Sequence, residues 1–219
     1  LPARRHYAGW SMPSFEVGTT LLRELAQQHL LPAVARLSDS DETRAAFAMS
    51  ESPATQIARR YLAARGQRSP CVLLLGWEGS EDDVATGRRR VRPLLQRHGA
   101  VSLSTSPGRV WLRARYAAPY LRDALLDRGL LVETLETAAT WSQLHQVHAA
   151  VRAALHASLT EGGSWPLIGC HVSHLYPEGA SLYFTVLARQ SAAPLQQWRS
   201  AKAAATAAMV RAGGVVSHH

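Results

Sequence analysis

Apolar residues recur at helical spacing near the start of the chain. Ser14 precedes Val17, Leu21, Leu22 and Leu25, a stripe that ends before Pro32, and this spacing predicts a helix. A second helix is predicted from about Ser40 towards Gly66, so residues 1–68 read as a helical lead-in. The run Cys71 to Trp77 reads as a buried strand, Gly76 to Gly79 as a turn, and Ser80 to His98 as a helix. Val110, Leu112, Ala114 and Tyr116 alternate with Arg109, Trp111, Arg113 and Arg115, which predicts a half-exposed strand over Arg109 to Tyr116. Pro119 can open a short helix through Asp127, because its fixed φ suits a first helical turn.

The pattern sharpens from Leu130 onward. Leu130 to Thr137 reads as a strand, and Thr140-Trp141-Ser142-Gln143 fits a capping box, in which hydroxyl and amide satisfy the free backbone donors of a helix start. Leu144, Val147, Val151, Leu155 and Leu159 then mark one apolar stripe. Strands at about Ile168 to Tyr176 and Ser181 to Arg189 flank the turn Pro177-Glu178-Gly179. Pro194 opens an alanine-rich helix to Ala212, Gly213-Gly214 stops it, and Val215-Val216 begins a last strand. The order strand-helix-strand-strand-helix-strand is the ferredoxin-like split-βαβ arrangement. The expected fold class is α+β: an antiparallel sheet covered by helices over residues 69–219, behind the helical lead-in. No sequence repeat marks the chain.

With 219 residues, 47% hydrophobic and 18% charged, the chain can build a real core, which excludes wholesale disorder. No apolar stretch is long enough to cross a bilayer, and Leu1-Pro2-Ala3-Arg4-Arg5 lacks the apolar core of a secretory signal. Two cysteines, Cys71 and Cys170, cannot make a disulfide framework. A cytoplasmic location is expected. The formal charge is +8, and Lys202 is the single lysine among the basic residues. Such an excess suits phosphates, carboxylates, acidic lipid or nucleic acid without choosing among them. The dense run Arg88-Arg89-Arg90 with Arg92 falls in a predicted helix and reads as a solvated face.

The chain carries no G-x-S-x-G, H-E-x-x-H, P-loop or G-x-G-x-x-G motif. Cys170, His171 and His174 are close in sequence, but on a strand His171 points away from the other two. No second ligand pair stands at a standard spacing, so no metal is expected. Nucleic acid is not expected either. Tyr183 and Phe184 are neighbours on opposite sides of their strand, and Leu130 to Thr137 holds no aromatic, so a base-stacking platform is lacking. Arg115-Tyr116 and Pro119-Tyr120-Leu121-Arg122-Asp123 gather basic and phenolic groups at a predicted strand-to-helix junction. An arginine fork there could clamp a phosphate or carboxylate, and Arg122-Asp123 could equally be a local ion pair.

Six segments occur in one order: Gly9-Trp10-Ser11-Met12-Pro13-Ser14-Phe15, Pro32-Ala33-Val34-Ala35-Arg36-Leu37-Ser38-Asp39, Pro119-Tyr120-Leu121-Arg122-Asp123, Glu133-Thr134-Leu135-Glu136-Thr137-Ala138, Gly179-Ala180-Ser181-Leu182-Tyr183-Phe184 and Gly213-Gly214-Val215-Val216-Ser217-His218-His219. Together they resemble the C-terminal half of flavin-linked oxidases of the vanillyl-alcohol-oxidase type and, within them, the alkyldihydroxyacetonephosphate synthases of ether-lipid synthesis. The related 2-hydroxy-acid dehydrogenases read G-H-x-G-D-G-N-x-H at the hairpin. Here His174 is followed by Tyr183 where the second histidine would stand. The ending Ser217-His218-His219 is similar to the start of the synthase motif S-H-H-H-G-V-G, which favours a family motif cut short over a purification tag.

The resemblance implies roles. Tyr183 matches a general acid/base beside the flavin, Arg122 an active-site arginine, and Arg36 an arginine serving the substrate pocket or flavin contacts. His218 and His219 match the first two members of a histidine triplet, and His174 is expected to line the substrate or cofactor pocket. A tyrosine, ordinarily near pKa 10, acts as a base only where a cation stabilises its phenolate, a part open to Arg122 or a histidine. The implied cofactor is FAD, held mainly by an N-terminal FAD-binding domain that this chain lacks. The implied activity is exchange of acyl for alkyl on dihydroxyacetone phosphate by the whole protein, with the isolated cap inactive. Expected partners are that domain, a small phosphate or lipid substrate, a second copy of the chain and a membrane surface touched peripherally. Two other readings stand beside this one: the cap of a flavin oxidase or dehydrogenase acting on a 2-hydroxy acid, and a non-catalytic ligand-binding module. On the first reading, Tyr183, Arg122 and the terminal histidines converge on one lid over the cofactor.

Overall fold

The computed structural model describes residues 2–49, 53–116, 118–161 and 163–217, and their side chains apart from those of residues 53–55 and 118–120. It divides into two compact units, Leu1–Arg115 with Val172–Pro177, and Tyr116–His171 with Glu178–His219.

The first unit runs β1 (Arg4–Met12), α1 (Phe15–Gln27), β2 (Val34–Ser38), α2 (Ser40–Ala48), α3 (Pro53–Ala64), β3 (Cys71–Gly79), α4 (Glu81–Arg97), β4 (Val101–Ser102) and α5 (Ser106–Ala114). Its strands lie in the order β4-β1-β3-β2. β1 pairs antiparallel with β3 from Arg4↔Gly79 to Met12↔Cys71, and β2 pairs with β3 from Val34↔Gly76 to Leu37↔Leu73. The apolar run of β3 is buried as predicted. α1 begins where Ser14 Oγ accepts the Val17 N–H at 3.2 Å, and it buries Leu21, Leu22, Leu25 and Ala26. α4 opens on a capping box between Ser80 and Asp83, with both backbone contacts at 3.1 Å.

Two expectations are corrected here. Residues 1–68 hold the helices α1, α2 and α3, but β1 and β2 stand among them. Neither strand alternates clearly: β1 mixes Arg4, Arg5, Gly9 and Ser11 with its apolar positions, and it becomes a strand because β3 and β4 pair with it on both sides. The predicted strand Arg109 to Tyr116 is instead α5. Pro107 in its first turn favours a helical start, and Arg109 N–H donates to Thr105 O at 3.0 Å. Gly108 allows the helix to approach β1, since a Cβ there would stand 2.7 Å from the Tyr7 backbone.

The second unit runs α6 (Ala118–Leu126), β5 (Leu130–Thr140), α7 (Leu144–Glu161), β6 (Leu167–Leu175, of which Val172–Leu175 count with the first unit), β7 (Gly179–Arg189), α8 (Pro194–Arg211) and β8 (Val215–Val216). The strand order β6-β7-β5-β8 is the ferredoxin-like one predicted. Leu131, Leu135 and Ala139 of β5 and Leu182, Phe184, Val186 and Ala188 of β7 are buried on one face. The stripe Leu144, Val147, Val151, Leu155 and Leu159 of α7 is buried throughout, and His148 of the same helix stacks on Phe184 with ring centroids 6.0 Å apart. α8 buries Ala201, Ala205, Ala208 and Met209. Gly213, at φ 89°, ends α8, and Gly214 N–H donates back to Met209 O at 2.8 Å. The expected capping box is absent: Thr140 closes β5, and its hydroxyl meets Ser142 and the Gln143 amide side chain.

Candidate functional site

A strand exposes successive side chains on opposite faces, so the residues between the buried ones of β5 and β7 form the other face of the second unit's sheet. Val132, Thr134, Glu136 and Ala138 of β5 lie there opposite Leu187, Thr185, Tyr183 and Ser181 of β7. Glu136 and Tyr183 are direct cross-strand partners, and both are half-buried. His171 of β6 stacks on Tyr183, ring centroids 4.8 Å apart and planes 23° from parallel, and is itself only 7% exposed. Glu136, Tyr183 and His171 thus form a row across three strands.

The end of the chain is tied to this row. β8 pairs with β5 through Thr137↔Val216 and Ala138↔Val215. The buried hydroxyl of Thr137 donates to Val215 O at 2.6 Å, and Ser217 Oγ donates to Glu136 O at 2.8 Å. Ser217, where the predicted histidine motif starts, therefore sits beside the residue that faces Tyr183. His218 and His219 lie outside the described residues.

The other predicted site residues are placed differently. Arg122 is exposed on α6, the helix that packs against β5, and has no ion pair with Asp123 among the described residues. Arg36 lies on β2 in the first unit, where its half-buried guanidinium is ion-paired with Glu42. His174 is exposed near the end of β6 with φ 47°, a left-handed backbone uncommon for a non-glycine residue. Residue-level reading assigned Glu136 no role, and it singled out His171 with Cys170 and His174, as structural or site-lining residues, without its partner Tyr183. The alternation of β6 had already turned His171 away from Cys170, but which strand residue it would meet depends on pairing register. Burial pushes the Cys71 thiol up to about 12, and Cys170 is fully buried, so neither is poised as a nucleophile.

A flavin dinucleotide has a flat ring system and an anionic diphosphate. The face around Tyr183 suits the ring: two stacked aromatic side chains amid short polar and apolar ones. It does not suit the diphosphate, because Glu136 is the only charged side chain among residues 132–138 and 181–187 of that face.

No helix among the described residues is long and apolar enough to cross a membrane. The profile of a family described as FAD linked oxidases, C-terminal domain, matches residues 1–219. Two curated relatives are named alkyldihydroxyacetonephosphate synthase: one from Trypanosoma brucei brucei is 30% identical over all of this chain and 37% of its own length, and one from Dictyostelium discoideum is 27% identical over all of this chain and 38% of its own length. A solved alkyldihydroxyacetonephosphate synthase superposes with a TM-score of 0.86 at 27% identity, over 98% of this chain and 40% of that one. The chain thus spans about two fifths of the length of the relatives it matches. A full-length profile match and an α+β fold shared with the synthase lead to one conclusion: the chain belongs to the FAD-linked oxidases, as their C-terminal domain.

Proposed function

We propose that the chain is the substrate-binding cap of an FAD-dependent enzyme of the alkyldihydroxyacetonephosphate synthase type, exchanging the acyl group of an acyl dihydroxyacetone phosphate for an alkyl group. The observation that carries this reading is the row of Glu136, Tyr183 and His171, with the start of the terminal histidine motif bonded beside it. In the overall exchange a fatty alcohol replaces a fatty acid, and the alcohol's proton leaves with the acid, so no oxidant is consumed. Bound FAD supplies an electron-accepting ring with no net redox change.

The chain's own residues have three tasks. Tyr183 carries a proton to and from the substrate carbon, as a positioned phenol can. His171, stacked on it, holds the phenol ring in place on the sheet, and Glu136 across the strand offers a proton acceptor. Arg122, exposed on α6, presents a fork for the substrate phosphate. An N-terminal FAD-binding domain is the partner in this reading, and the cap is inactive without it.

The test is made on the protein in which this chain is joined to an FAD-binding domain. Turnover of an acyl dihydroxyacetone phosphate with a long-chain alcohol is expected, and Tyr183→Phe should lower kcat by about a hundredfold or more with substrate binding retained. Reduction of an electron acceptor by 2-hydroxy acids in place of exchange, or full activity in Tyr183→Phe, would overturn the assignment.

A further inference from the structure

The first unit holds a cavity of about 470 Å³ that the reading above does not use. Its walls come from three places in the chain. α2 contributes Arg44, α3 contributes Arg59 and Arg60, and the segment before β3 contributes Arg68. On α3 the lining residues Gln56, Arg59, Arg60 and Ala63 follow helical spacing, so one face of that helix is turned to the cavity. The hydroxyl-bearing Ser40 and Ser69 line it as well, and Phe47 supplies an apolar wall.

Four guanidinium groups around one cavity repel one another unless something negative sits among them. Arg44 is ion-paired with Asp41, but Arg59, Arg60 and Arg68 have no carboxylate partner among the described residues. The exposed run on α4 is an ordinary solvated face, with charges spread along one helix. The four arginines here are exposed as well, but they come from separate elements and line one concave space of the size that small ligands occupy.

We propose that this cavity binds a phosphate group, with Arg59, Arg60 and Arg68 as its principal ligands. Guanidinium forks match phosphate oxygens in shape and charge, and the flanking hydroxyls can add hydrogen bonds. The phosphate belongs either to a small soluble ester or to a lipid headgroup. Ile57 and Tyr61, one turn apart on α3, and Met49 at the end of α2 are large apolar side chains left exposed nearby in the chain, as a headgroup site at a bilayer surface would require.

The experiment uses the full chain and two paired-substitution variants of equal charge loss, Arg59→Gln/Arg60→Gln and, as the control, Arg89→Gln/Arg92→Gln on the exposed face of α4. Circular dichroism establishes that both fold. Glycerol 3-phosphate is titrated calorimetrically, and vesicles of phosphatidylcholine with or without phosphatidic acid are tested by co-sedimentation. Saturable binding of glycerol 3-phosphate, weakened about tenfold or more by the α3 pair and unchanged in the control, identifies a soluble ligand. Binding confined to phosphatidic acid vesicles, with the same dependence on the α3 pair, identifies a lipid headgroup. Binding by neither probe, or equal losses in both variants, overturns the proposal, because the second result would mean bulk charge rather than a site. The outcome does not depend on Tyr183 or on exchange activity, so the two readings fail separately.

Discussion

The two units repeat one topology in very different sequence. In each, the strands follow the same spatial permutation: β4-β1-β3-β2 in the first and β8-β5-β7-β6 in the second, taken in the same sense. The second unit builds it with long alternating strands and two helices whose Leu, Val and Ala stripes cover one sheet face. The first has less regular strands and inserts α2 and α3 between its second and third. The difference extends to chemistry. The second unit's candidate groups, apart from Arg122 on α6, stand on the sheet itself, where register sets their spacing, whereas the first unit's arginines stand mostly on the inserted helices. The topology is thus a scaffold that tolerates weakly patterned strands if their neighbours pair strongly, and each unit can carry a different kind of site.

The largest effect separating the units is expected at their glycines. A Cβ on Gly179 would stand 2.2 Å from Ala139 O, backbone against backbone in the central pairing of the second unit. Gly179→Ala should cost about 3 kcal/mol, read by chemical denaturation. At Gly18 of the first unit the obstacle is a Leu37 methyl group at 2.6 Å, the far end of a flexible side chain that can shift, so Gly18→Ala should cost only about 1 kcal/mol. Equal costs would mean that the two contacts are held equally tightly.

A smaller effect concerns the edge of the second sheet. Thr137→Val removes the buried hydroxyl that donates to Val215 O and should cost about 1 kcal/mol, while Ser217→Ala, at an exposed bond, should cost about 0.5 kcal/mol or less. If Thr137→Val proved neutral by the same denaturation measurement, β8 would owe its place to backbone pairing alone.

The smallest effect belongs to the first unit and to pH. Burial, with Arg88 and Arg4 beside it, holds the His6 imidazole below its ordinary value. The unfolded chain then binds the proton more readily than the folded one, so stability should fall as pH drops through about 6.5 towards the folded value. His6→Gln should flatten that fall, and an unchanged slope of stability against pH would remove His6 from the account.

The legibility of the two units differs for a physical reason. In β5 from Leu131 to Ala139, Glu133 excepted, and in β7 from Leu182 to Ala188, every second residue is buried, so the period of two is written into the residues, and the α7 stripe shows the period of a helix just as clearly. β1 has partners on both sides, which relaxes what its own residues must do, and its Gly9 and Ser11 look unlike a strand. Arg109 to Tyr116 shows the reverse failure, an accidental alternation of arginine and apolar residues overruled by Pro107 and by the close approach at Gly108. Tyr183 was named from a motif, but its partners were not.

The sequence by itself determined the helices other than α5, the second unit's strands and the faces on which their side chains lie, because periodicity is a local property of a chain that buries one side. Only the tertiary structure decided that His171 stacks on Tyr183 opposite Glu136, that Ser217 is bonded beside them, and that arginines from α2, α3 and the segment before β3 line one cavity. Those neighbours come from strand register and helix packing, which join residues far apart in the chain and leave no periodic trace in it.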